Sequence, residues 1–191
     1  VLDGREVSTF RGIPFAAPPV GARRWQPPQT NFSLSDFRRF TDGVYQADKF
    51  SASCPNALGG RGNPLCHTCS TRDNAPTMPN DEDCLYLNVM SPNGFTAHSN
   101  LAVMLFVHGG GGMWGSGASY FNSSALVGKD VVYVTMNYRL GNLAWLATDE
   151  LSAESPHHVS GNQGIHDMIA ALTFIKQDIA AFGGDPSRVT V

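Results

Sequence analysis

The residues best placed for chemistry are consecutive glycines: His108-Gly109-Gly110-Gly111-Gly112, directly behind the apolar run Leu101–Val107. Glycines leave backbone N–H groups uncovered, so such a loop can press against a ligand or a developing negative charge. Several chemistries compete for it. Gly110, Gly112 and Gly115 have the spacing of the dinucleotide fingerprint, but that fold wants an acidic residue at the end of the next strand. Here that strand ends in Met136-Asn137-Tyr138-Arg139, and residues 116–124 lack helical periodicity. A nucleotide-phosphate loop fails too, because Gly128-Lys129 runs into Asp130 and lacks the upstream glycine. A bare turn needs fewer glycines than this loop has, followed as it is by Gly115-Ser116-Gly117. The remaining reading is an oxyanion hole, in which adjacent N–H groups hold the oxygen of a tetrahedral intermediate. One such donor is worth roughly 10²–10³ in rate.

The elements that must position this loop read as an α/β pattern. Residues 84–90, 101–107 and 131–136 are strands, and 101–107 is apolar on both faces. Strands of that kind lie in a sheet covered on both sides by helices. A helix is predicted from about residue 162 to 182, with Ile165, Met168, Ile169, Leu172, Ile175, Ile179 and Phe182 as one core-facing stripe. Gly161 or Asn162 caps its start and Gly183-Gly184 ends it. Asp185-Pro186 turns the chain, and 189–191 opens another strand. A chain that stops there is cut through a βαβ unit, so the sequence reads as an incomplete domain. Upstream, residues 1–30 are extended pieces broken by prolines, and residues 31–80 form a polar surface excursion.

The 191 residues have room for one domain, and 42% hydrophobic content suits a packed core. Net charge is −3 and the 13 basic residues are scattered, which recruits neither nucleic acid nor an anionic membrane. No apolar run is long enough for a transmembrane segment. The chain opens at Val1 without a signal peptide, as a processed N-terminus or a fragment would. Cys54, Cys66, Cys69 and Cys84 fit two disulfides in any of three pairings, or four thiolates on one zinc. Disulfides are favoured, which points to a secreted protein. The sequons at Asn31 and Asn122 suit a glycoprotein in that setting.

Taken together, the motifs resemble the N-terminal portion of the type-B carboxylesterases, the family that includes the cholinesterases. Phe10-Arg-Gly-Ile-Pro-Phe-Ala16, Pro18-Pro19-Val-Gly21 and Arg24-Trp25 are similar to the family's opening segment. Glu82-Asp-Cys-Leu-Tyr-Leu-Asn-Val89 with Pro92 is similar to its second signature, Met90 being an unusual occupant. Asn137-Tyr-Arg-Leu-Gly141, Gly161-Asn-Gln-Gly164 with Asp167, and residues 182–191 follow in family order.

The resemblance implies an α/β-hydrolase fold with a mostly parallel central sheet flanked by helices, truncated before the nucleophile elbow, so that residues 1–191 are the first part of one domain. It implies hydrolysis of a small-molecule carboxylic ester through an acyl-enzyme, with no cofactor and no metal. Gly110 and Gly111 would be the oxyanion donors. The triad serine, acid and histidine would all lie beyond Val191, leaving this piece inactive on its own. His108 would be structural, and His157, His158 and His166 would take no catalytic part. Gly112 stands where many relatives carry an aromatic, so Met113 and Trp114 would line the acyl side. A disulfide joins Cys54 to Cys84 by the same likeness, with Cys66 and Cys69 as an extra pair. Structural ion pairs join Arg24 to Glu82 and Arg139 to Asp167. Residues 71–81 offer no tryptophan, where cholinesterases hold a quaternary ammonium; this favours a general carboxylesterase or lipase-like activity. The alternative is a non-catalytic adhesion relative that keeps the fold without the serine.

Overall fold

A computed structural model describes residues 6–55, 79–121 and 124–191. The strands are β1 (Val7–Pro14), β2 (Phe40–Thr41), β3 (Val44–Tyr45), β4 (Tyr86–Pro92), β5 (Leu101–Val107), β6 (Val131–Met136) and β7 (Gly184–Thr190). The helices are α1 (Ser124–Val127), α2 (Asn142–Trp145), α3 (Asp149–Glu154) and α4 (Gln163–Asp178). Five strands form the central sheet in the order β1-β4-β6-β5-β7, while β2 and β3 make a separate hairpin. β4 pairs antiparallel with both β1 and β6, whereas β5 pairs parallel with β6 and β7. Four strands therefore run one way and β4 alone runs against them.

Alternation along the strands builds two apolar clusters, one on each face. Leu87, Val89, Val103, Leu105, Val132, Val134 and Met136 join the larger core with Ala170, Ala171, Ile175 and Ile179. From the other face Met90 and Tyr133 pack with Phe121 and Val127, supported by Met104 and Phe106. Strand β5 thus carries apolar side chains both ways, as a sheet covered on two sides requires.

Four sequence-based expectations change in detail. α4 ends at Asp178 and tightens into a 3-10 turn, Ile179–Phe182, which Gly183 stops at φ +85°. Asn162 sits at the N-cap without a side-chain capping bond. The core-facing stripe is rotated: Ile165 and Ile169 are 45% and 53% exposed, and the buried face is Gly164, Asp167, Ala171, Ile175 and Ile179. Small residues let the helix approach its neighbours closely, Gly164 against α2 and Ala171 in the core, and a paired aspartate can be buried. A hydrophobicity pattern counts neither as apolar. Strand β7 begins at Gly184, and Asp185-Pro186 falls in an irregularity of its pairing with β5, which resumes at Val103↔Val189.

Cys54 and Cys84 are disulfide-bonded across 30 residues and are fully buried. That bond leaves the four-thiolate zinc reading without its ligands; Cys66 and Cys69 lie outside the described residues. Of the sequons, Asn31 is exposed and Asn122 is outside the described residues. No helix among the described residues is long and apolar enough to cross a membrane. Cys54→Ala with Cys84→Ala frees the loop between them in the unfolded chain. Chemical unfolding should show a loss of about 3–4 kcal/mol from loop-closure entropy; an unchanged unfolding midpoint would argue that the bond does not form.

Candidate functional site

The glycine loop leaves β5 at its C-terminal end, and His108 is its buried root, 2% exposed. The imidazole stacks on the Tyr138 ring at 4.5 Å, and the Tyr138 hydroxyl donates to the His108 carbonyl at 2.9 Å. His108 Nδ1 lies 2.9 Å from Gly109 O, which can only accept, so the proton sits on Nδ1. Nε2 is buried with no hydrogen-bond partner among the described residues. Burial lowers the His108 pKa below its usual 6.5, against the opposing pull of the Gly109 carbonyl.

Beyond His108 the chain makes a turn in which Met113 N donates to Gly110 O at 3.0 Å. Gly111 and Gly112, its central residues, sit at φ +63° and +71°, the mirror-image conformation that glycine adopts without steric cost. At Gly110 the approach is closest: a Cβ would stand 1.9 Å from Trp114 O. The carbonyls of 108, 109, 110 and 112 all accept hydrogen bonds from the protein. The N–H groups of Gly110 and Gly111, by contrast, find no acceptor among the described residues.

One pentapeptide, residues 137–141 at the exit of β6, grips this loop at several points. Asn137 Oδ1 accepts from Gly117 N at 2.8 Å, while its Nδ2 donates to Ala52 O and Cys84 O. Tyr138 holds His108, and Gly141 N donates to Gly112 O at 2.8 Å. Arg139 turns inward instead. Its Nε and Nη2 meet both oxygens of Asp167 at 2.9 and 2.7 Å, its backbone N donates to Oδ2 at 3.0 Å, and Nη1 reaches Gln26 O. The two side chains are 2% and 0% exposed. Two buried opposite charges hold together only with hydrogen bonds this complete.

Arg24 and Glu82 form a second bidentate pair at 2.7 Å on both branches, but water reaches them, at 39% and 25% exposure. The Glu82 hydrogen bond raises the Arg24 pKa further above its ordinary value. Solvent screening leaves this pair little energetic weight, so its role is to tie the opening segment to the start of β4. Met113 is exposed and Trp114 half-buried in the loop; His157, His158 and His166 lie exposed on α3's exit and on α4. Sequence reasoning missed the parts played by Asn137 and Tyr138, because no local pattern tells that their side chains reach back to a loop 20 and 30 residues upstream.

A sheet with one counter-running strand, a helix docked across its face and a glycine loop at a strand's C-terminal end define an α/β-hydrolase. The carboxylesterase family's sequence profile matches residues 1–191. Fumonisin B1 esterase of Sphingopyxis macrogoltabida is 45% identical over 187 residues, 97% of this chain and 31% of that protein. Cocaine esterase of Oryctolagus cuniculus is 38% identical over 185 residues, 97% of this chain and 32% of that one. The solved Geobacillus stearothermophilus carboxylesterase EST55 superposes with a TM-score of 0.75 at 33% identity, covering 96% of this chain and 33% of that one. The chain belongs to the carboxylesterase family. It spans about a third of the length of these relatives.

Two outcomes check the supports of the loop. Asp167→Asn leaves the Arg139 charge buried without its counter-charge and should cost about 3–5 kcal/mol in unfolding free energy; a stability unchanged within error would mean that water reaches the pair. Below its usual pKa of 6.5, His108 takes up a proton in the unfolded chain before it does in the folded one. Its contribution to stability is therefore present above that pH and is lost as pH falls towards the lowered folded value. A melting-temperature series should show that fall in the wild type and a shallower one in His108→Gln; parallel slopes would assign the titration to another group.

Proposed function

We propose that this chain carries the oxyanion-hole half of a carboxylic ester hydrolase working through an acyl-enzyme. The observation that carries the reading is the asymmetry of the glycine loop. The carbonyls of 108, 109, 110 and 112 are occupied by donors of the protein, and the N–H groups of Gly110 and Gly111 are left without an acceptor among the described residues. Fixed donors of that kind favour a negative oxygen and repay no reorganisation when the charge develops. Membership in the carboxylesterase family supports the same chemistry.

In the mechanism we infer, a serine hydroxyl outside residues 1–191 attacks the ester carbonyl and passes its proton to a histidine, also outside them. The carbonyl oxygen becomes the oxyanion, held by Gly110 N–H and Gly111 N–H and by a third amide next to the serine. Collapse expels the alcohol, which takes the proton from the histidine. Water then attacks the acyl-serine by the same route and releases the acid. The neutral His108 at the root of the loop stays out of the proton path and supports the backbone. The preferred substrates are uncharged carboxylic esters, since residues 71–81 hold no tryptophan for a quaternary ammonium. A disulfide and an exposed sequon at Asn31 support secretion and glycosylation.

The test is made in the full-length protein with p-nitrophenyl acyl esters. Gly110→Val drives a side chain into Trp114 O and displaces the loop, so kcat should fall at least about tenfold while the fold is kept. An unchanged kcat in a folded variant would overturn the oxyanion assignment. A wild type that hydrolyses no ester, with glycine or alanine in place of the serine, would make the protein a binding relative instead.

A further inference from the structure

The glycines around the loop mark where another group comes too close for a side chain, and at two of them that group is the same indole. At Gly112 a Cβ would stand 2.6 Å from Trp145 Nε1 and 3.0 Å from its Cε2. At Gly164, in the first turn of α4, a Cβ would stand 2.6 Å from Trp145 Cη2 and 2.8 Å from its Cζ2. The ring, carried at the end of α2, is thus a wedge between the loop and the helix. Its N–H donates to Gly112 O at 2.8 Å, beside the bond from Gly141 N at 2.8 Å.

Those two donors hold the carbonyl end of the peptide unit that joins Gly112 to Met113. The other end of the same unit, Met113 N–H, closes the turn onto Gly110 O. With both ends tied, this peptide plane cannot rotate, and the turn that presents the Gly110 and Gly111 N–H groups keeps its form. The tie matters because consecutive glycines lose more conformational freedom on ordering than any other residues. Catalysis by fixed dipoles requires that they be ordered before the charge appears.

On the proposed ester-hydrolase function, we infer that Trp145 is a positioning residue for the reaction, locking the Gly112–Met113 peptide so that the oxyanion donors stay aimed. It touches neither substrate nor reacting atoms. Its effect belongs in kcat, since the oxyanion exists in the transition state and not in the bound ester.

Trp145→Phe in the full-length protein keeps a ring on α2 and removes the N–H. On a p-nitrophenyl ester, kcat should fall about tenfold or more, with KM within about twofold of wild type. The Met113 amide should exchange with solvent at least about tenfold faster, while the amides of β5 keep their protection. An unchanged kcat, or a loss of protection that extends through β5, would overturn the inference. A wild type without esterase activity counts against the proposed function alone. In that event Met113 exchange decides the lock by itself, and an unchanged rate would refute it.

Discussion

Everything at the candidate site hangs on a buried charge pair. Arg139 and Asp167 are each shut away from water, and neither could be buried alone at tolerable cost. Their mutual hydrogen bonds dictate where the exit of β6 meets the first half of α4. Asp167 accepts both from the Arg139 side chain and from its backbone N, so it fixes the main chain as well as the guanidinium. With residue 139 held, its neighbours have their directions set: Asn137 and Tyr138 reach back to the glycine loop, and Gly141 presents its N–H to Gly112. The Arg24–Glu82 pair has the same bidentate form but stays wet, and it joins surface segments without setting any site residue.

The loop itself shows how a flexible sequence becomes a rigid dipole array. Residues 109–112 have no side chains of their own to order them. The order comes from outside, through carbonyls captured one at a time by Tyr138, His108, Met113 and Gly141. With four carbonyls captured, the N–H groups of Gly110 and Gly111 stay uncommitted among the described residues.

Much of this was legible in the residues, and the limits have physical causes. The strands β4, β5 and β6 follow from apolar runs, and the glycine loop follows from its position behind one of them. Helix α4 was legible in place but not in orientation. Ile165 and Ile169 outweigh Gly164, Ala170 and Ala171 in any hydrophobic pattern, although the small residues are the buried ones, Gly164 against Trp145 of α2 and the alanines in the core. The disulfide partner of Cys84 could not be deduced from spacing, because pairing depends on which loop ends the fold brings together; family likeness named Cys54, to which the structure bonds it. The grip of residues 137–141 on the loop was illegible for a similar reason. A hydroxyl or carboxamide has no preferred long-range partner until tertiary structure supplies one.

Sequence separation gives the Tyr138–His108 contact a temporal meaning. The loop is made first, but its anchor at Tyr138 follows 30 residues later, and the aspartate that fixes the anchor's neighbour follows another 28 residues on from Arg139. Until α4 exists and docks, residue 139 lacks the carboxylate that fixes it, and the grip of its neighbours on the glycines is incomplete. During synthesis β5 and β6 are therefore available to pair before this last support of the loop is in place. In the finished molecule the same dependence becomes a hierarchy of opening: any fluctuation that lifts α4 from the sheet also releases the loop, so the dipole array can be no longer-lived than the docking of a helix that contributes no atom to it.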